Sequence, residues 1–125
     1  VRDRKNPYIL AGDFNAFSPQ DHYDRKRMIK GFREYFKSKE IVNDILTGKA
    51  IKLLLKGGLI DTFKVKNTRW DWSYHTPLSG NKYDYSRIDY IFCSKDFSVV
   101  EAGIIKNDLA ESASDHYPIY AIFEI

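Results

Sequence analysis

Tyr8-Ile9-Leu10-Ala11-Gly12-Asp13-Phe14-Asn15-Ala16 opens apolar, turns on Gly12, and then presents a carboxylate and an amide two residues apart. The continuous run of Tyr8, Ile9 and Leu10 predicts a strand over residues 8–13, buried on both faces. Side chains alternate along an extended chain, so Asp13 and Asn15 are expected on one side and Phe14 on the core side. An acid and an amide side by side at a strand end can hold a divalent metal, an attacking water or a phosphoryl oxygen. The same two residues also suit a plain surface turn after a strand.

Two further segments carry the reading outward. Ser114-Asp115-His116-Tyr117-Pro118 leads into an apolar run over residues 119–125, and upstream of it sits Ser86-Arg87-Ile88-Asp89-Tyr90-Ile91-Phe92. Residues 87–93 read as a central strand. Ile88, Tyr90 and Phe92 face one side of it, and Asp89, Ile91 and Cys93 the other. Asp89 is thus an acid on an otherwise apolar face, and a buried acid needs a partner. Gly-Asp-Phe-Asn, then Arg-Ile-Asp-Tyr-Ile-Phe, then Ser-Asp-His-x-Pro, in that order, resemble the endonuclease/exonuclease/phosphatase superfamily of exonuclease III and DNase I-like proteins. Each motif alone is a weak signal. The ordered set is a strong one, and it spans nearly the whole chain.

Composition sets bounds that fit this resemblance. The chain has 125 residues, 43% hydrophobic and 15% aromatic, enough for one globular core. A net charge of +3 suits a polyanionic partner without demanding one. The single cysteine, Cys93, rules out an internal disulfide framework, and its apolar surroundings predict a buried, inert thiol. No stretch is long and apolar enough to span a membrane, and Val1-Arg2-Asp3-Arg4-Lys5 does not read as a signal peptide. An intracellular, cytoplasmic setting is the expectation. No internal repeat, low-complexity run or linker is visible.

Residues 1–7 read as a polar, charged loop or the tail of a helix. Ser18-Pro19-Gln20-Asp21 predicts a helix start, with Ser18 as N-cap and Pro19 in the first turn. Met28, Ile29, Phe32, Tyr35 and Phe36 recur at helical spacing, and Arg25, Lys26, Lys30, Arg33 and Lys37 occupy the opposite face. That basic face serves either a phosphate backbone or simple solvation. Residues 40–56 form a second helical pattern that buries Ile41, Val42, Ile45, Leu46, Ile51, Leu54 and Leu55. Gly48 is placed to break or bend it, and Gly57-Gly58 to stop it.

Residues 67–73 contain Trp70 and Trp72. Trp72, Tyr74 and Thr76 share one face of an expected strand that Pro77 ends, and Ser79-Gly80-Asn81-Lys82 reads as a turn. Residues 95–107 read as strand with a break at Gly103, residues 108–114 as a polar loop, and the last strand as burying Ile119, Ala121, Phe123 and Ile125. His22 and His75 lack metal-ligand spacing with another His or Cys, so zinc is not expected and both read as structural or surface residues. One strand, then helices, then several strands points to a mixed α/β fold.

The resemblance implies more. It implies an α/β DNase I-like four-layer α/β/β/α sandwich, of which residues 1–125 correspond to about the C-terminal half, a mixed, mostly antiparallel sheet with helices. The other half, which normally supplies an Asn and the main metal-ligating Glu, lies outside this correspondence. Leu59-Ile60-Asp61-Thr62-Phe63 resembles the family's Gly-Leu-x-Asp-x-Phe element, in which the Asp is structural.

The implied activity is Mg²⁺- or Mn²⁺-dependent phosphoester hydrolysis, as a nuclease on nucleic acid. The alternatives are a phosphatase or phospholipase acting on inositol phosphate or sphingomyelin, or a catalytically incomplete half-domain with a binding role. The isolated chain is expected to be weak or inactive, with its sheet covered by the missing half or by a second chain. By match to the family pattern, Asp13 would orient or deprotonate the attacking water beside a second metal, and Asp115 would bind metal directly or through water. Asn15 would hydrogen-bond the scissile phosphate or the attacking water, His116 would donate to a non-bridging oxygen, and Asp89 would fix the His116 tautomer. Trp70, Tyr83 and Tyr85 would stack on a sugar or base, or else cover the edge of the core.

Overall fold

A computed structural model describes residues 6–80 and 85–125. The chain order is β1 (Ile9–Asp13), α1 (Arg25–Tyr35), α2 (Lys39–Thr47), α3 (Lys49–Lys56), β2 (Ile60–Asp61) and α4 (Thr62–Lys66), then a 3-10 turn (Pro77–Ser79). It ends with β3 (Asp89–Cys93), β4 (Ser98–Ile104), α5 (Asp108–Ala113) and β5 (Ile119–Glu124). The strands form a β1-β3-β2 sheet and a β4-β5 pair, and every ladder is antiparallel. The fold is mixed α/β, as the element order predicts. Among the described residues no helix is long and apolar enough to cross a membrane.

β3 is the spine. Tyr90 and Phe92 pack under Ala16, Ile51 and Leu59, joining the sheet to α3 and to the chain after β1. On its other face Cys93 meets Val99 and Ala102, with Phe97, Ala121 and Phe123 around them, so the two sheets close on each other there. Burial pushes the Cys93 thiol up, which suppresses its thiolate and keeps it inert. A third cluster, Phe17, Met28 and Ile88, receives Phe32, Ile45 and Leu46 and so fastens α1 and α2.

Several expectations are corrected. β1 is not buried on both faces. Among the described residues it pairs with β3 alone, at the sheet edge, and Ile9 and Leu10 remain 47% and 38% exposed. The first helix does not start at Ser18. Ser18 is buried and its hydroxyl accepts from the Gln20 N–H in a local turn, while Asp24 caps α1 by accepting from the Arg27 N–H at 3.1 Å. The intervening residues are held out of a helix because Asp21 and Tyr23 both bond to Arg87.

The 40–56 pattern divides at Gly48, whose φ of 61° ends α2 and whose absent Cβ would meet the Phe17 carbonyl oxygen at 2.0 Å. Ile41 is exposed rather than buried, because it lies on the outer side of α2. Residues 108–114 contain a helix, α5, capped by Asn107, whose side chain accepts from the Ala110 N–H at 2.8 Å. Gly103 does not interrupt β4. It leaves room for the Tyr120 ring, and the irregularity falls instead between Val99 and Glu101. Ile125 ends beyond β5 and is exposed.

Candidate active site

The site is built on the end of β3. Arg87, 1% exposed, lies just before that strand. Its Nε donates to Asp21 Oδ2 at 2.8 Å, and its Nη1 and Nη2 donate to Asp61 Oδ1 and Oδ2 at 3.1 and 2.7 Å. Lys64 Nζ stands 3.5 Å from Asp21 Oδ1, so two buried carboxylates meet two cations. Burial alone would lower the Arg87 pKa, but its hydrogen bonds to Asp61 and the charges of Asp61 and Asp21 overcome this and raise it. The guanidinium also lies over the Tyr90 and Phe63 rings. Asp61 has the structural role expected of it, since its Oδ1 also accepts from the Phe63 N–H at the start of α4. This knot fixes the loop after β1, the start of α4 and the entry to β3 relative to one another.

Asp13 and Asp89 are direct register partners across β1 and β3, and the Phe14 N–H continues the ladder to the Ile88 carbonyl at 2.9 Å. Asp89 Oδ2 lies 2.8 Å from His116 Nδ1. A carboxylate only accepts, so the Nδ1 carries the proton and the other ring nitrogen is left for chemistry. Ligand atoms of Asp13, Asp89 and His116 all lie within 4.8 Å of one another. Three segments far apart in sequence meet at one rim.

Asn15 follows with φ 46°, a left-handed conformation that Asn tolerates, and its N–H donates to Asp13 Oδ1 at 2.8 Å. Strand alternation therefore stops at Asp13. Phe14 does turn inward, edge-on to Tyr90 and Phe92. Asp115 is exposed and stands outside the Asp13–Asp89–His116 group, beside the Ser114 hydroxyl.

The residues that hold the rim were not singled out by the motifs. Tyr74 forms isolated bridges to Ser86 and His116, where a full strand was expected. Ser73, fully buried, accepts from both the Ile88 and Asp89 N–H groups at 3.2 Å through its hydroxyl. Its carbonyl accepts from the Tyr117 N–H at 2.7 Å, and the Thr76 N–H donates to the Asp115 carbonyl at 2.9 Å. Ser73 thus ties Asp89 to the His116 loop. Ser73→Ala is expected to lower unfolding stability by about 2 kcal/mol, because it strands two buried N–H groups. Urea unfolding with Ser73→Cys as a second variant checks this.

Trp70 and Tyr85 are 37% and 42% exposed, as a substrate-facing role needs, while Trp72 is half-buried under Lys106 Nζ. Tyr83 lies outside the described residues. His22 is exposed. His75 is buried, with its ring stacked on Tyr85 at 4.9 Å.

The sequence profile of the Endonuclease/Exonuclease/phosphatase family matches residues 1–116. The chain belongs to this family. A family protein from Leptotrichia buccalis C-1013-b is similar in structure, with TM-score 0.56, 25% identity and 98% of this chain covering 38% of that one. A family protein from Bacteroides thetaiotaomicron is similar at TM-score 0.51 and 25% identity, over 98% of this chain and 37% of that one. A mannosyl-6-phosphatase from Bacteroides thetaiotaomicron VPI-5482 shares the fold at TM-score 0.50 and 22% identity, over 99% of this chain and 40% of that one. The chain therefore spans about two fifths of the length of these structures. None of the curated proteins matches it. The fold is that of the DNase I-like family, whose members are typically phosphoester hydrolases and generally depend on divalent metal.

The donor set suits such a cation in kind. Asp13 offers an exposed hard-oxygen ligand at the rim, and Asp115, next to His116 in the chain, offers another exposed carboxylate. The closeness of Asp89 and His116 comes from their own hydrogen bond, so it is not by itself the mark of a metal site. A full Mg²⁺ shell of about six oxygens needs donors beyond these residues.

Proposed function

We propose that Asp13, Asn15, Asp89, Asp115 and His116 form part of the catalytic centre of a divalent-metal-dependent phosphodiesterase that cleaves nucleic acid. The observation that carries this reading is the facing of Asp13 and Asp89 in one register, with His116 Nδ1 bonded to Asp89 at 2.8 Å. Asp13 and Asp115 would hold Mg²⁺ or Mn²⁺, which neutralises phosphate charge and polarises water when bound.

Asp13 orients the attacking water and draws off its proton. Asn15 donates to the phosphate. His116, as an imidazolium, donates from Nδ1 to Asp89 and from the other ring nitrogen to a non-bridging oxygen, where charge builds in the transition state. We further propose that residues 1–125 act as the C-terminal portion of a larger domain, whose remainder completes the metal shell and covers the open edge of β1. The isolated chain then turns over weakly.

The exposed Trp70 and Tyr85 and the basic outer face of α1 support nucleic acid over a small phosphate. The likeness to a mannosyl-6-phosphatase, at 22% identity, bears on the fold alone. The test is a Mg²⁺-dependent assay of the full polypeptide that contains this chain. The panel is single-stranded DNA, duplex DNA, abasic duplex, RNA, phosphoinositide, sphingomyelin and a sugar phosphate. Cleavage of nucleic acid in preference to the others is expected. Turnover confined to the phosphomonoesters or lipid would overturn the substrate, and no turnover at all would overturn the hydrolase.

A further inference from the structure

The positive charge of this chain is concentrated in one place. Residues 25–39 hold seven Lys and Arg against one Glu, +6 in a chain of net +3, so all the rest of it is net −3. Arg25, Lys26, Lys30 and Arg33 are exposed along α1, while Met28 is buried and Phe32 half-buried on its other side against Phe17 and α2. Met28 and Phe32 are thus spent on the core, and Arg25, Lys26, Lys30 and Arg33 give the helix a charged face towards water.

Beside this face lies a cleft of about 180 Å³, lined by Tyr23, Arg27, Met28, Trp70 and Tyr85 among others. Asp24, also at its wall, is engaged in capping α1. Tyr23 and Trp70 stand edge to face, with centroids 5.8 Å apart. The rings continue from the cleft towards the rim. Trp70 contacts Trp72, Trp72 contacts Tyr85 at 4.5 Å, Tyr85 stacks on His75, and Tyr74 brings the row to His116 at 4.9 Å.

We infer that this cleft is a binding site for one unpaired base of a single-stranded nucleic acid, whose backbone runs along α1. Exposed aromatic faces beside a guanidinium stack any base, and a row of Lys and Arg tracks phosphates. A base inside a duplex has no free face to offer, so the strand must be single. A lipid surface is disfavoured because a helix that lies on a bilayer must bury its apolar residues there, and α1 has already committed Met28 and Phe32 to the core. The inference rests on the proposed function only for the path from cleft to rim; binding itself needs no turnover.

The test is fluorescence anisotropy with a short labelled oligothymidylate in EDTA, run beside a duplex of equal length and phosphatidylserine vesicles. Single-strand binding is expected to weaken about tenfold or more in Trp70→Ala. In the triple variant Lys26→Gln/Lys30→Gln/Arg33→Gln, the slope of log affinity against log salt is expected to fall by about 2. Trp70 and Trp72 are the only tryptophans. Quenching of their fluorescence by the strand is expected to vanish in Trp70→Phe, which keeps a ring and most of the affinity, so a folding defect is separable.

Undiminished affinity in Trp70→Ala, equal affinity for duplex, or binding of vesicles alone overturns the proposal. Wild-type protein that hydrolyses a small phosphodiester but binds no oligonucleotide sinks this inference and spares the catalytic one. Oligonucleotide binding without any hydrolysis does the reverse.

Discussion

Replacing His116 by alanine is expected to lower kcat by about 10²–10³-fold and to leave unfolding stability within about 1 kcal/mol of the parent. The imidazole makes one charged hydrogen bond, at 2.8 Å to Asp89, and both side chains keep some contact with water, 28% and 14% exposed. Water can therefore take over much of what Asp89 loses. What water cannot supply is a donor held in place at the phosphate. Asp89→Asn should fall in the same direction, because a neutral amide carries no charge to support the imidazolium that donates to the phosphate. Saturation kinetics on the complete protein, with urea unfolding in parallel, separate the two effects. Several kcal/mol of lost stability with turnover retained would place His116 in the fold and not in the chemistry.

Arg87→Met is expected to do the opposite, costing about 3–5 kcal/mol of stability. The guanidinium is enclosed by two carboxylates whose side chains are 0% and 1% exposed. Among the described residues, removing it leaves Asp21 with Lys64 as its cation and Asp61 with none. Domains of this size are stable by about 5–15 kcal/mol, so the variant would stand close to unfolding at ordinary temperature. Adding Asp61→Asn should recover part of the loss, since a neutral amide is cheaper to bury than an uncompensated charge, and the double-mutant cycle measures that coupling. A single variant within about 1 kcal/mol of the parent would show that the knot is not what holds the β1 loop, α4 and β3 together.

Much of the site could be read from the chain because motif residues fix local geometry. Gly-Asp-Phe-Asn ends an extended run, Arg-Ile-Asp alternates into and out of the core, and Ser-Asp-His precedes a strand. The need of Asp89 for a partner followed from a single acid on an apolar face, and His116 proved to be that partner. What escaped was long-range. Nothing local reveals that Asp21 will be captured by Arg87, 66 residues later, so Ser18-Pro19 read as a helix start when tertiary pairing keeps it a turn.

Ser73 escaped for a related reason. A serine that satisfies two backbone N–H groups looks in sequence like any other serine. β1 was misjudged because three apolar residues look alike at a sheet centre and at an edge, and strand order is not written in periodicity. Residues 108–114 were misread because a polar stretch opened by Asn107 suits a capped helix as well as a loop.

The facing of Asp13 and Asp89 has a consequence for the durability of the fold. Like charges opposite one another on neighbouring strands destabilise a sheet by about 0.2–1 kcal/mol. Asn15 and His116 each lend a donor to one of the pair, which offsets part of this cost. A screen for sturdier versions of this protein will thus tend to reward neutral residues at position 13, and the hardiest survivors will be the ones that have lost their reactivity.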